Sequence, residues 1–440
     1  MVFRLSRKSS ADHAPSHGEW FEFMLRTFIP FLGVLAALLI SAVILLFLKT
    51  NPLVAYGAMF KGAFGSVNGW SQSLVKATPL LLVGLGICIA FRASVINVGG
   101  EGQIILGSVA GTWFALTFPE LPRFILVPAC MSAGFLAGAI WGFIPGFLKA
   151  RFKVNEILST IMMNSIALQF MNFLLQGPMM DPEGIAAGTF LAQSARLPAG
   201  SWLARLIPRT MLHSGAYVAL VFAVVVYIFL WRTTIGYQIR AVGLNPRASR
   251  YSGINVPFNQ MLSLTIAGGL SGLAGVIEVM GVHRRILEGL TGGYGFTGIV
   301  AALLGSLHPL GLIPASVLFG GLLVGANTMQ RAVQIPAALI NAILGLIVLF
   351  VSGSALWIHQ IIKKRKTAAA VAPAVREAAP ALAASGQDRP ALAASEPDRL
   401  VATAPGQDRP ALAASEPDRL VAAAPGQDQL AKVPSKDNQP

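Results

Sequence analysis

The 440-residue sequence predicts an all-α polytopic membrane protein with about ten transmembrane helices, some of them broken or half helices, and a disordered C-terminal tail. Three observations predict this. First, hydrophobic residues make up 54% and charged residues only 12%. An ordinary globular domain carries about 25% charged residues, so a soluble chain of this size could not cover its surface. Second, the apolar residues gather in long uncharged runs. Third, the basic residues sit between those runs, where the positive-inside rule puts them. Residues 1–366 carry a formal charge of +16 and residues 367–440 carry −2. No basic stripe is interleaved with aromatics, which argues against a nucleic-acid partner. The 45 glycines follow no collagen period and suit closely packed membrane helices.

The elements follow in order. Residues 1–27 form a polar cytoplasmic segment with Arg4, Arg7, Lys8 and Arg26. Phe28–Leu48 is uncharged for 21 residues, enough to cross a bilayer. It is too long for a signal-peptide core and no small-x-small site follows, so it reads as a retained first helix. Apolar runs follow at 77–91, 102–118, 124–148, 157–175, 214–231, 258–280, 297–307, 311–330 and 335–358. The transmembrane domain thus covers 28–360. Ala77–Phe91 ends at Arg92, and Thr297–Leu307 stops at His308-Pro309. Runs that short read as broken or half helices lining a cavity, because irregular backbone is tolerated only there. Gly134, Gly138, Gly142 and Gly146 recur every four residues and form a smooth ridge for a neighbouring helix.

Residues 361–440 comprise a basic stub, Lys363–Lys366, and an Ala/Pro-rich tail. Arg389–Asp408 recurs as Arg409–Asp428 with one change, Thr403 to Ala423. Low apolar content and frequent proline predict a disordered cytoplasmic tail. With both termini inside, 16 basic residues fall on the cytoplasmic side and ten outside. The outside set includes Arg123, Arg196, Arg205, Arg209, Arg284 and Arg285.

No enzyme constellation is present. The dipeptide Gly-Lys never occurs, so there is no GxxxxGK[ST] phosphate loop, and HExxH, CxxC and GxSxG are absent. The six histidines are scattered. Cys88 and Cys130 lie in apolar runs, which disfavours a disulfide framework or a zinc site. No catalytic residue and no metal site is assigned.

Three segments carry the polar chemistry. The first is Asn97-Val98-Gly99-Gly100-Glu101-Gly102-Gln103, which interrupts apolar sequence. A carboxylate at the start of a helical run offsets the positive end of the helix dipole. An ionisable residue at membrane depth also marks a candidate translocation path. For Glu101 both readings stay open, with Asn97 and Gln103 beside it. In the second segment, Asn155-Glu156 opens the run 157–175, with Asn164 inside it. Glu156 reads as a first-turn dipole partner or a pathway residue. Glu278, near the outer end of its run, is expected to pair with Arg284 or Arg285. The third is the basic loop Arg232–Asn255. Asn245 can N-cap a short helix with Pro246 at its first position, and Gly253 can end it. Such a helix between two spans is either a docking surface or a charged connector that anchors topology.

The residues 91–107 (FRASVINVGGEGQIILG), 155–167 (NEILSTIMMNSIA), 241–255 (AVGLNPRASRYSGIN) and 293–311 (GYGFTGIVAALLGSLHPLG), in that order, resemble the permease subunits of bacterial ABC importers. The branch is that for nucleosides, ribose-type sugars and, more distantly, branched-chain amino acids. The pattern is most similar to the larger permease of nucleoside importers and covers about residues 1–360. The resemblance implies a fold similar to the vitamin B12 importer permease and a path at a two-permease interface. It implies four further expectations: an ABC ATPase partner holding ATP and Mg, a second permease that is a paralogue, an extracytoplasmic substrate-binding lipoprotein, and the bacterial cytoplasmic membrane as location. It places Gly243, Asn245, Pro246, Ala248 and Gly253 in an ATPase-coupling segment, with Arg240, Arg247 and Arg250 around them. Arg247 stands where the family often has an acidic residue. The expected function is the membrane subunit of an importer for nucleosides. A simple-sugar permease and an ion-coupled secondary transporter are the alternatives.

Overall fold

A computed structural model describes residues 17–336 apart from 187, 189 and 190, with isolated positions between 339 and 353; for 17–31 it describes the backbone alone. The described residues form thirteen α-helices: α1 (His17–Phe47), α2 (Pro52–Phe64), α3 (Val67–Arg92), α4 (Gly100–Thr117), α5 (Arg123–Phe152), α6 (Glu156–Leu175), α7 (Pro182–Ala186), α8 (Gly215–Arg232), α9 (Thr234–Leu244), α10 (Pro246–Tyr251), α11 (Val256–Glu278), α12 (Tyr294–Leu304) and α13 (Pro309–Val333). A π-helical turn, Val279–His283, prolongs α11. Among these residues the only β-pairing is three isolated bridges. Six helices are long and apolar enough to cross a membrane: α3, α5, α6, α8, α11 with its π-turn, and α13. Leu32–Phe47 and α12 are shorter apolar helices. The expected run 335–358 and the tail 361–440 lie largely or wholly outside the described residues.

Burial is graded from the centre outward. The most apolar windows of α3 and α11 are each 83% buried, whereas those of α5, α6 and α8 are 28% buried. The outer helices present bare apolar faces, such as Leu136, Ile140 and Phe143 on α5 and Leu158, Met162 and Phe173 on α6. Large apolar residues outward and small residues inward is the arrangement lipid favours.

The glycine ridge on α5 packs against a second ridge on α11. A methyl group added at Gly138 would lie 2.7 Å from the Gly272 Cα, and one at Gly142 would lie 3.0 Å from the Gly268 Cα. Only glycines on both helices allow backbones to approach this closely.

Two sequence expectations need correction. The run 77–91 is no short or broken helix: it is the inner part of the 26-residue α3. Ser71, Ser73 and Lys76 lower the hydropathy of its first turns. Those residues are accommodated because α3 is central; Ser73 Oγ, for example, donates to the Ala63 carbonyl at 3.0 Å. Glu278 pairs with neither Arg284 nor Arg285. The π-turn ends at Arg284 in the left-handed region (φ +59°), which turns Arg284 away onto Trp202. Arg285 meets Asp181 at 3.5 Å.

Candidate functional site

Two helix N-termini meet deep inside the bundle. Beyond Arg92 the chain leaves helical geometry for residues 93–99 and re-enters it at Gly100. A Cβ on Gly100 would contact Val83, 3.5 Å away, and Gly295 Cα, 3.1 Å away. Val83 lies nine residues from the Arg92 end of α3, a rise of about 13 Å. The starts of α4 and α12 therefore sit about 13 Å in from the Arg92 end of α3. The eleven residues of α12 span about 16 Å, about half of a hydrocarbon core, so this run forms an apolar helix too short to cross a bilayer alone.

Glu101 joins the two helix starts. It stands in the first turn of α4, and its Oε1 accepts the Gly295 backbone N–H at 2.7 Å. One carboxylate thus faces the unpaired amides of two helix ends, where negative charge is favoured. The helix-end reading of Glu101 is realised across two helices. Gly293, in the left-handed region at φ +82°, N-caps α12, a conformation that suits glycine.

The irregular segment 93–99 is satisfied by side-chain amides. Asn97 Nδ2 donates to Gln103 Oε1 at 3.0 Å, and Gln103 Nε2 returns a bond to Asn97 Oδ1 at 3.3 Å. Asn97 Oδ1 also accepts the Gly99 N–H at 3.0 Å. From α6, Asn164 Oδ1 accepts the Gly102 N–H at 2.9 Å while its Nδ2 donates to the Val98 carbonyl at 3.0 Å. Asn97, Gln103, Glu101 and Asn164 are therefore one assembly. Asn155 is not part of it, whereas Glu156 reaches the same break by accepting the Ile96 backbone N–H. Asn155 Oδ1 caps α6 by accepting the Ile157 N–H at 2.9 Å, and Glu156 is ion-paired with Lys149 at 2.6 Å.

Sequence reasoning missed a second polar cluster, above the first. Glu278 is 1% exposed. Its Oε1 lies 3.5 Å from Lys76 Nζ and 3.6 Å from His283 Nε2, and accepts the Tyr294 hydroxyl at 3.2 Å. Lys76 in turn donates to the Tyr294 oxygen. Tyr294 and Gly295 are neighbours, so α12 is held at its start by α3, α4 and α11 together. The isolated Lys76 at the edge of an apolar run was the available signal.

At the Arg92 end lies the third segment. Asn245 Oδ1 accepts the N–H groups of Arg247 and Ala248, both at 3.1 Å. Pro246 opens α10, and Gly253 (φ +80°) follows its end. The expected short helix is present. Arg247, Ala248 and Arg250 are exposed, and Leu244 and Tyr251 are 88% and 94% exposed. An open cleft of about 880 Å³ runs between the end of α8 and α10, with Trp231, Tyr237, Arg240 and Ser249 in its wall. Gly243 abuts the Arg92 carbonyl so closely that a Cβ there would fall 2.8 Å from its carbon. Trp231 is flanked by Arg92 at 5.2 Å and Arg240 at 5.5 Å. The Arg92 guanidinium donates to the Leu307 carbonyl at 3.3 Å. Burial and the Arg92 charge both lower the His308 pKa, in keeping with a ring whose Nδ1 accepts the Leu310 N–H at 3.3 Å.

Six helices long and apolar enough to cross a membrane define a multi-pass membrane protein. The chain belongs to the family described as the branched-chain amino acid transport system / permease component, whose pattern matches residues 69–352. It is 35% identical over 327 residues to the guanosine ABC transporter permease protein NupP of Bacillus subtilis, covering 74% of this chain and 93% of that one. It is 32% identical over 333 residues to the nucleoside ABC transporter permease protein NupB of Lactococcus lactis, covering 74% and 91%. It is 35% identical over 329 residues to the glucose ABC transporter permease protein TsgB13 of Haloferax volcanii, covering 73% and 86%. No solved structure matches.

Proposed function

We propose that this chain is the membrane subunit of an ATP-driven importer that carries nucleosides into the cytoplasm. Its nearly full-length likeness to a guanosine permease and a nucleoside permease is the observation that carries the substrate class. Hydrolysis falls to a separate ATPase holding ATP and Mg, since this chain has no phosphate loop. In this reading α10 is the coupling helix, and Leu244, Arg247, Arg250 and Tyr251 are the exposed groups that meet the ATPase. A second permease, a paralogue, completes the path, and an extracytoplasmic binding lipoprotein delivers the solute. The protein lies in the bacterial cytoplasmic membrane with both termini inside. The complete domain, 28–360, has about ten spans including half helices, as in the vitamin B12 importer permease, and 361–440 is a cytoplasmic tail.

The geometry suggests the coupling route. Movement of α9 and α10 bears on Arg92 through Gly243. Arg92 leads directly into the break 93–99, and that break ends at Glu101 and the start of α12. Asn97, Glu101, Gln103 and Asn164 then border the path at mid-depth, with Asn155 and Glu156 bracing the cytoplasmic end of α6. The test is ATP-dependent uptake into proteoliposomes of the complete complex with radiolabelled guanosine, uridine, ribose and glucose. Uptake of nucleosides with ATP alone, under a proton-motive-force uncoupler, supports the reading. Sugar uptake alone transfers the assignment to the second reading, which the Haloferax glucose relative favours. Uptake abolished by the uncoupler refutes an ATP-driven mechanism.

A further inference from the structure

The outward side of the bundle between α5 and α8 is grooved. Phe124, Pro128, Ser132 and Leu136 follow one another at intervals of four along α5, and all are exposed. The proline and the serine between the two bulky residues leave a notch. An open cleft of about 470 Å³ lies against the first part of this stripe, walled by Phe124, Val127 and Pro128 together with Leu203, Ala204 and Ser214. A second, of about 380 Å³, lies against the next part, walled by Met131, Ser132 and Leu136, by Val218 and Phe222 of α8, and by Leu273 of α11. Leu273 is buried and forms the floor. The two clefts thus succeed one another along the same pair of helices. From Arg123 to Leu136 the helix rises about 20 Å, against about 15 Å for the hydrocarbon of one leaflet.

The surroundings say what fills this groove. Ile140 beyond it on α5, and Val221 and Val225 beside it on α8, are exposed apolar residues, so the groove is continuous with the faces that meet lipid. Water is a poor occupant, because an ordered water needs two to four polar partners. Among the described residues Ser132 is the one polar side chain in the wall of the second cleft. An empty groove would forfeit the dispersion contacts of its walls. At the loop end Arg123 opens α5 and is exposed. One of its terminal nitrogens donates to the Trp202 carbonyl at 2.8 Å, which fixes the guanidinium at the mouth of the groove. A guanidinium has five N–H donors, so most remain for a second acceptor, and a phosphate matches their fork.

We propose that the groove between α5 and α8 is a binding site for one anionic phospholipid, with an acyl chain laid along Pro128 and Ser132 towards Phe222 and the phosphate on Arg123. The site rests on the membrane-spanning character of the bundle and not on the solute that is carried. Apolar surface alone does not select a lipid, since lipid tails are as apolar as the groove. Selection comes from the notch, which takes a chain and no bulkier group, and from the one cation at its mouth.

The experiment uses the full-length protein, with the subunits that co-purify with it, in phosphatidylcholine nanodiscs. These contain a trace of phosphatidylglycerol with a photoreactive diazirine in one acyl chain, and labelled peptides are mapped by mass spectrometry. Labelling of the native protein should concentrate in residues 123–136 and 214–222. Unlabelled phosphatidylglycerol should compete better than added phosphatidylcholine. Arg123→Gln should reduce that preference about fivefold, the contribution of one basic residue beside anionic lipid, while labelling persists. Ser132→Phe fills the notch from an exposed position and should abolish labelling of the groove. Ile140→Phe, two turns further on and outside the groove, should leave it unchanged. The elution profile reports the assembly of each variant, and the competition on the native protein needs no variant at all. Labelling spread evenly over α5, α6 and α8 and indifferent to Ser132→Phe means ordinary annular lipid and overturns the site. Equal competition by the two lipids overturns the anionic assignment. A photocrosslinker attached at Ser132→Cys that captures a neighbouring subunit, with no lipid label in the native groove, gives the groove to a protein helix and likewise overturns the proposal.

Discussion

Removing the carboxylate of Glu101 should loosen the start of α12, whose Gly295 amide it holds. Glu101→Ala deletes a charge-assisted hydrogen bond of 2.7 Å to the Gly295 amide, worth about 1.5–3 kcal/mol, and leaves that amide without a partner. It also withdraws negative charge from two helix N-termini, about 0.3–1 kcal/mol each. Glu101 is only partly buried, so water offsets part of the loss, and a net cost of about 2–3 kcal/mol follows. Glu101→Gln keeps an acceptor oxygen and gives up the charge, so it should cost about 1 kcal/mol. Apparent melting temperature in mild detergent should fall by about 5 °C or more for Ala and about 2 °C for Gln. ATP-driven uptake should fall in the same order. Gly295→Ala supplies an independent check, because its methyl group would press on the Glu101 backbone nitrogen and lie 2.9 Å from Glu101 Cγ, parting the two helix starts and with them the same hydrogen bond. The double variant Glu101→Ala/Gly295→Ala should cost less than the sum of the singles, as expected for groups in contact. Full stability and uptake in Glu101→Ala, or strict additivity in the pair, would refute the clamp.

Four further outcomes are expected. Gly138→Val forces a branched side chain against the α11 backbone and should cost about 3 kcal/mol or more, seen as loss of the monodisperse peak in fluorescence-detected size exclusion. Glu278→Ala strips Lys76, His283 and Tyr294 of their shared acceptor. It should destabilise by about 2 kcal/mol, less than for a fully buried pair because Lys76 is a third exposed; thermal scans with Glu278→Gln as the milder comparator check this. Replacing Asn245-Pro246-Arg247 with glycines removes the cap and the fixed first turn of α10, so ATP-driven uptake should be lost while binding-protein docking persists; unchanged uptake would remove α10 from the coupling route. Deletion of 367–440 should leave uptake rates unaltered, and a fall would assign the repeat tail a regulatory role.

What was legible in the sequence was mainly local. Asn245 and Pro246 announce a helix start because capping is settled within three residues, and Asn155 does the same for α6. The Gly134–Gly146 ridge predicts a close neighbour but not which one; that depends on Gly268 and Gly272 some 130 residues away. Lys76 and Glu278 could not be joined from sequence for the same reason. Hydropathy truncated α3 because it scores Ser71, Ser73 and Lys76 against lipid, whereas in a central helix Ser73 and Lys76 are bonded to neighbouring protein. The choice of Arg284 or Arg285 for Glu278 failed because proximity along the chain says nothing of a π-turn and a left-handed residue between them.

The two ways of holding helices together in this bundle differ in what they permit. At Gly138–Gly272 and Gly142–Gly268 the α5–α11 contact is backbone against backbone, with no room there for a side chain. The start of α12 is held by directional bonds instead: Glu101 to Gly295, and Tyr294 to Lys76 and Glu278. Such bonds can be exchanged for others, or for water, when a cavity opens, at a cost per bond of about 1–3 kcal/mol. An alternating-access cycle needs a rigid part and a part with two states whose difference a partner can bias. On this division α5 and α11 are expected to move as one body, and α12 to be the element whose attachment changes. The short mechanical line from Gly243 through Arg92 and residues 93–99 to Glu101 reaches that attachment and bypasses the glycine-packed pair. Cysteine cross-linking would separate the two cases: a link from α5 to α11 should preserve ATP-driven uptake, and one from α4 to α12 should arrest it. Arrest by the first link with full uptake through the second would reverse the assignment of rigid and moving parts.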